Sequence, residues 1–409
     1  MASFSDLSLV DSGASSNTSG GLFRLSTAPR INAVEQLPSN ATVEVRSGIS
    51  FVAARVGRAA SHGEALAEAM KVAQKGLDLL SVKGLADLST HEVEEWHITW
   101  WEEQPGIVLR VTDVSTFGLT MSAELTVLDS QGNVKADPPA PPTNWDESYR
   151  YFRLAQVTDD LFDAFRNLYL ALESLLHSIE PVRRKPKTGR DESEADWFRR
   201  ALSMTNVPNL ADFAPHGTTN PSHDIFADLY KDMRTALFHA KGNRPHFRPH
   251  EADDRGRVEE SFSRLSKLYL AIVQAEWGIS RRSGGWTEAG FLLLTELLDS
   301  GAMIHAAAEN VPKAEIPGAL LRGQYLQLLT RRATELDRPF FKSVLGSVPV
   351  ASMTALPSVS QIALVTSTGV PVAVTNLDTP ITLDHVHRFE AHLPIRMRHP
   401  QKPREIYST

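Results

Sequence analysis

Leu161-Phe162-Asp-Ala-Phe165-Arg-Asn-Leu168-Tyr169-Leu-Ala-Leu172-Glu173-Ser174-Leu175-Leu176-His-Ser-Ile179 is the stretch whose periodicity speaks most strongly for a fold. Its apolar residues recur at i, i+3, i+4 and i+7 without a miss, the pattern of one buried helical face. Thr158 or Asp159 is placed to cap this helix and Pro181 to stop it. Three more amphipathic stretches follow. A short one at 192–202 carries Trp197 and Phe198, and Phe226–Ala240 sets Phe226, Leu229, Tyr230, Met233 and Leu237 on one side, with Gly242 after it. The last is striped by Val258, Phe262, Leu265, Leu268, Tyr269 and Ile272. Four such helices within about 130 residues predict an antiparallel up-and-down bundle.

Outward from the helices, the sequence changes character. Pro138, Pro139, Pro141 and Pro142 resist helix and sheet alike, so 137–144 is expected to be a linker. Upstream, Thr42–Arg46, Ile49–Arg55, Glu92–Trp101, Gly106–Val111 and Leu119–Leu128 read as strands, with turns at Gln104-Pro105-Gly106 and 129–132. Ser61 and Glu64 form a capping box for a helix running to about Leu80. Trp96, Ile98 and Trp100 share one face of their strand, which favours core packing over a stacking platform. Residues 1–30, rich in Ser, Gly and Asn, are expected to be a disordered tail, and 31–136 an N-terminal α/β domain. Downstream, 283–409 is read as a mixed segment: Phe291–Leu298 is open between strand and helix, Leu320–Leu336 is expected as a helix, and Ile362–Thr366, Val370–Val374 and Val386–Ile395 as strands. The expected class is α+β, with a central antiparallel helical bundle at 145–282 flanked by β-rich N-terminal and C-terminal segments.

A chain of 409 residues with 42% hydrophobic and 22% charged residues has ample material for a packed core. It contains no cysteine, which excludes disulfides, thiolate metal sites and a cysteine nucleophile. No apolar run approaches the ~20 residues that span a bilayer. The first residues lack the basic and apolar regions of a signal peptide, so a cytoplasmic protein without membrane contact is expected. The net charge of −7 argues against a strongly basic nucleic-acid binder. Residues 151–281, however, hold equal numbers of basic and acidic residues, so the rest of the chain carries the deficit. Within them, 234–250 contains Arg234, Lys241, Arg244, Arg248 and three histidines without one acid.

That basic stretch opens on Met233-Arg234-Thr235-Ala236-Leu237-Phe238-His239-Ala240-Lys241, an Arg-x4-His pattern late in a helical array. With the helix segment Tyr169-Leu-Ala-Leu-Glu173-Ser174-Leu, it resembles HEPN domains, the higher-eukaryote and prokaryote nucleotide-binding superfamily. The resemblance implies a metal-independent endoribonuclease without cofactor, whose Arg and His meet their counterparts across a homodimer seam, with RNA as partner. In that reading Arg234 holds the scissile phosphate and His239 exchanges a proton with the ribose hydroxyl or leaving oxygen. Thr235, Lys241, Arg244 and Arg248 are the candidate RNA contacts. Active members usually carry Asn, Asp or His where this chain has Thr235. Five positions on an α-helix also turn the direction by about 140°, so Arg234 and His239 do not share a face. The rival reading is a non-catalytic interaction or nucleotide-binding scaffold, in which Arg234 pairs with Asp232, Glu173 or another acid. Leu77-Asp78-Leu79-Leu80 followed by Trp96, Trp100 and Trp101 ahead of the helices is similar to accessory proteins of methylamine-utilisation clusters, of the MauJ type.

Other chemistry is thinner. His239, His246 and His250 are separated by Pro245 and Pro249, which prevents a helical ligand pair, while His385 and His387 are expected on one strand face. Arg183–Lys187 reads as a solvated basic loop. The chain has no phosphate-cradling Gly-x4-Gly-Lys-Ser/Thr motif, no dinucleotide fingerprint and no nucleophile elbow.

Overall fold

The structure, a computed structural model, describes residues 2–10, 17–38, 40–91, 93, 95–117, 130–131, 144–158, 160–184, 189–215, 219–238, 246–249, 251–279, 288–299, 301–308, 325–331, 334–335, 341–354 and 356–397. The chain forms two compact units: Met1–Gly118 with Trp286–Arg398, and Leu119–Gly285 with His399–Thr409.

The first unit is built on strands from both ends of the chain. They are β1 (Ala2–Phe4), β2 (Leu7–Val10), β3 (Ser19–Arg24), β4 (Ala33–Gln36), β5 (Thr42–Val45), β6 (Phe51–Val56), β7 (Trp96–Glu103), β8 (Gly106–Asp113), β9 (Ser115–Phe117), β10 (Met303–Ala307), β11 (Tyr325–Thr330), β12 (Thr334–Glu335), β13 (Phe341–Pro349), β14 (Ser358–Val365), β15 (Pro371–Thr382) and β16 (Val386–Met397). They make a 16-stranded sheet in the order β2-β1-β15-β14-β10-β11-β13-β16-β8-β7-β3-β6-β5-β4, with β12 beside β13 and β9 beside β16. The joint between the two flanks is parallel: β16 runs alongside β8, with Phe389 opposite Leu109 and Ala391 opposite Val111. The sheet turns back on itself, so that Phe4 packs edge-on against Phe51 at 4.8 Å and Arg55 donates from Nε to the Ser8 carbonyl at 2.9 Å. Trp96, Ile98 and Trp100 lie in the resulting core with Leu22, Leu109, Phe389 and Ile362. Gly20 is needed there, because a Cβ at that position would meet the Trp100 ring at 2.3 Å.

Helix α1 (His62–Val82) covers the other face of β3, β5 and β6, burying Ala69, Ala73, Leu77 and Leu80 on Val43, Val45, Val52 and Ala54. Its cap follows the sequence: Ser61 Oγ accepts from the Glu64 amide, while Glu64 Oε2 accepts from the Ala60 amide at 2.8 Å.

The second unit is helical: α2 (Glu147–Val157), α3 (Leu161–Ile179), α4 (Glu194–Ser203), α5 (Pro221–Phe226), α6 (Thr235–Phe238) and α7 (Ala252–Trp277), with a π-helical segment at Ala227–Arg234 joining α5 to α6. Asp160, not Thr158 or Asp159, caps α3 by accepting from the Asp163 amide at 2.8 Å. The stripe from Leu161 to Leu176 is buried as its spacing demands, against Phe198, Phe226, Leu229, Val258, Leu265 and Ile272. Helix α7 ends at Gly278, whose φ of +65° suits the left-handed cap.

Several expectations are corrected. The chain is not organised around a central helical bundle: the large mixed sheet, which takes in both flanks, is its main element. Helical stripes are visible locally, whereas a β8–β16 pairing across more than 270 positions leaves no periodic trace, so the helices looked dominant. Residues 1–30, expected as a disordered tail, contain β1, β2 and β3, with Phe4, Leu7 and Leu9 fully buried. Leu320–Leu336 is not a helix where described, but holds β11 and β12; Phe291–Leu298 falls in α8 (Glu288–Asp299). Leu119–Leu128 and Pro138–Pro142 lie outside the described residues.

Candidate functional site

Three elements of the helical unit converge on Arg234. Helix α3 is buried through its leucine stripe, which leaves Leu170, Glu173, Ser174 and His177 on its other side. Ser193 caps α4, accepting from the Asp196 amide at 3.2 Å, and so fixes Glu194 as the first residue of that helix. The π-helical segment Ala227–Arg234 contributes Tyr230 and Arg234; such widened turns recur at functional sites because they re-aim side chains.

The guanidinium of Arg234 donates from Nη2 to Glu194 Oε1 at 2.8 Å and lies 4.8 Å above the centre of the Tyr230 ring. Tyr230 completes the clamp by donating its hydroxyl to Glu194 Oε2 at 3.0 Å. Glu173 adjoins them. Burial, a side-chain hydrogen bond with Glu194 and the charge of Glu194 push its carboxyl up to about 7, against the pull of Arg234. Glu173 thus keeps its proton up to near neutrality beside Glu194. Tyr169, 1% exposed, also faces this group; its hydroxyl has no hydrogen-bond partner, and burial pushes its titration upward.

Glu173 and Glu194 open onto a cleft of about 470 Å³, lined as well by Tyr151, His177, Glu192 and Trp197. Trp197 is held in place by its indole N–H, which donates to the Glu180 carbonyl at 2.7 Å. A carboxyl group displaced toward neutrality at the wall of a cleft is the kind of group binding sites use.

The sequence-selected residues fare differently. Arg234 is in this cluster and Thr235 is half-buried beside it. Arg248 is remote in role: its amide donates to Asp254 Oδ2 at 2.9 Å and its side chain reaches Glu251, so it helps start α7. His239, Lys241 and Arg244 lie outside the described residues. Of Arg234's expected acids, Glu173 contributes charge, but the bonded partner is Glu194, which the sequence reading passed over. The capping pattern Ser193-Glu194 was its one legible signal. His385 sits in the turn before β16 with a φ of +65°, so it does not share a strand face with His387. Among the described residues no group of three His, Cys, Asp or Glu side chains is arranged to hold a metal ion, and no helix is long and apolar enough to cross a membrane.

Comparison with known proteins adds one finding: residues 148–273 match the family model of methylamine utilization protein MauJ. No curated protein and no solved structure matches the chain. The match falls on the helical unit and not on the Leu77–Leu80 and tryptophan segments from which the similarity was first read. It includes Glu173, Glu194, Tyr230 and Arg234, so the stretch that forms the candidate site is similar to MauJ.

Proposed function

We propose that the helical unit is a non-catalytic binding module, in which Arg234 orients Glu194 at the wall of the cleft instead of clamping a phosphate. One observation carries this reading: Arg234 is already engaged by Glu194 at 2.8 Å and Tyr230 at 4.8 Å. A phosphate drawn to Arg234 would have to displace one carboxylate and face a second, Glu173. Electrostatic complementarity therefore runs against an RNA backbone at this position. Thr235, where active ribonucleases of the resembled superfamily usually carry Asn, Asp or His, points the same way. The similarity to a protein named for methylamine utilization spans these same residues.

The test is a cleavage assay on the purified full chain with mixed RNA substrates in EDTA. No cleavage above buffer is expected. Arg234→Ala should lower stability by no more than about 1 kcal/mol, since its partner Glu194 is an exposed carboxylate whose pairing solvent screens. EDTA-resistant cleavage that disappears in Arg234→Ala and His239→Ala variants of undiminished stability would overturn the proposal in favour of the ribonuclease.

A further inference from the structure

Strands β7, β8 and β16 turn their apolar side chains, Trp100, Val111 and Phe389 among them, into one core. The opposite face buries two polar rows, next to an apolar row that contains Trp101 and Val108. Strand register aligns His97, Thr112 and His392 in one row across it, and Thr99, Arg110 and Glu390 in the next. With strands ~4.8 Å apart, Thr112 sits between two imidazoles. Thr99 is 0% exposed and Thr112 3%, and neither hydroxyl has a hydrogen-bond partner; the buried Nδ1 of His392 has none either. Three unpartnered polar atoms on one patch of three adjacent strands call for a ligand, because buried polar atoms are almost always satisfied.

The surroundings decide its sign. His62, the first residue of α1, brings Nε2 to 3.3 Å from Nε2 of His97. His97 Nδ1 lies 2.9 Å from the Val93 carbonyl, which can only accept, so in the neutral ring Nδ1 carries the proton and Nε2 accepts from His62. Burial first, and then the charge of Arg110, push His62 down to about 3 and His392 to about 4. Arg110 donates from Nε and Nη2 to Glu390 Oε2 at 2.8 and 2.6 Å. Arg388 joins Glu390 at 3.0 Å to Glu103 at 2.7 Å, so two cations and two anions cancel on this face. What remains open to an anion is two hydroxyls and the Nδ1 of His392, beside the His62–His97 pair. A metal ion would meet the field of Arg110 with no ligand trio.

We propose that this face binds a small oxyanion, a phosphate or carboxylate group, between Thr99, Thr112 and His392, beside the His62–His97 pair. Its arrival draws a proton onto His392, whose Nδ1 then donates to the anion. Binding therefore takes up a proton and strengthens as pH falls. The test titrates the full chain with inorganic phosphate, and separately with acetate, at matched ionic strength and at pH 6 and pH 8, reading the Tm. A saturable rise is expected at pH 6 for at least one anion, with affinity at least tenfold weaker at pH 8. The anion giving the larger rise identifies the source chemistry. The double variant Thr99→Val, Thr112→Val should melt higher than the unliganded parent, since it removes unpartnered hydroxyls, and should lose the response; Thr112→Ser should keep it. If the double variant does not fold, Thr112→Val alone serves. No saturable rise with either anion at either pH, or a rise that survives loss of the hydroxyls, would overturn the proposal.

Discussion

Replacing Glu173 by Gln should make the protein more stable at pH 8 and leave it nearly unchanged at pH 4.5. In the folded chain the Glu173 carboxyl titrates at about 7, raised chiefly by burial and then by the hydrogen bond and charge of Glu194. In the unfolded chain it titrates at its ordinary value, near 4.5. The native state thus binds the proton more tightly. Its contribution is fully present below about 4.5 and declines as pH rises through about 7, where folding must strip or bury the charge. At ~1.4 kcal/mol for each tenfold change in protonation equilibrium, the ceiling is ~3 kcal/mol. Because the carboxyl also faces the open cleft, solvent screening brings the expected effect to ~1–2 kcal/mol. Glutamine keeps the geometry, since its amide N–H can donate to Glu194 as the protonated acid does, but it never ionises. Urea denaturation of parent and Glu173→Gln proteins at pH 4.5, 6 and 8 measures the difference directly, with the remaining titrations cancelling between the two. A variant less stable than the parent at pH 8, or a difference independent of pH, would refute the raised Glu173 titration and with it the electrostatic description of the cleft.

Other perturbations separate packing from titration. His62 and His392, held down to about 3 and about 4, favour the neutral folded state, so stability should fall as pH drops from about 6.5 toward 4, and acid melting curves of a His392→Gln variant should show a shallower fall. Gly76→Ala should destabilise by ~1–3 kcal/mol, although alanine is the better helix former, because its Cβ would lie 2.4 Å from Val43 Cγ2; a more stable variant in chemical denaturation would show that α1 can move away from β5. Phe165→Ala, at a fully buried position of α3, should cost ~3–5 kcal/mol in urea unfolding, and a loss below ~1 kcal/mol would mean that the leucine stripe does not form this core.

Local chemistry in the sequence by itself determined the buried faces of α1, α3 and α7 and the cap of α1. The Leu161–Leu176 stripe, the Ser61–Glu64 box and the alternation of Trp96, Ile98 and Trp100 each act over one or two turns or a few strand positions, so their reading survives folding. The resemblance to MauJ-type proteins was legible only faintly, from Leu77–Leu80 and the tryptophans. The family match lies instead on residues 148–273, and the HEPN resemblance of that stretch has no match behind it. What only tertiary structure decided is every partnership across long separations. Leu109 meets Phe389, Arg110 meets Glu390, and Arg234 meets Glu194 instead of Asp232. Strand pairing depends on hydrogen bonds between backbones, which carry no residue identity, so nothing in the β8 or β16 sequence names its partner. For the same reason the polar face bearing Thr99, Thr112 and His392 cannot be seen in any one strand: each contributes a single unremarkable residue to a row that exists only once the two ends of the chain lie side by side.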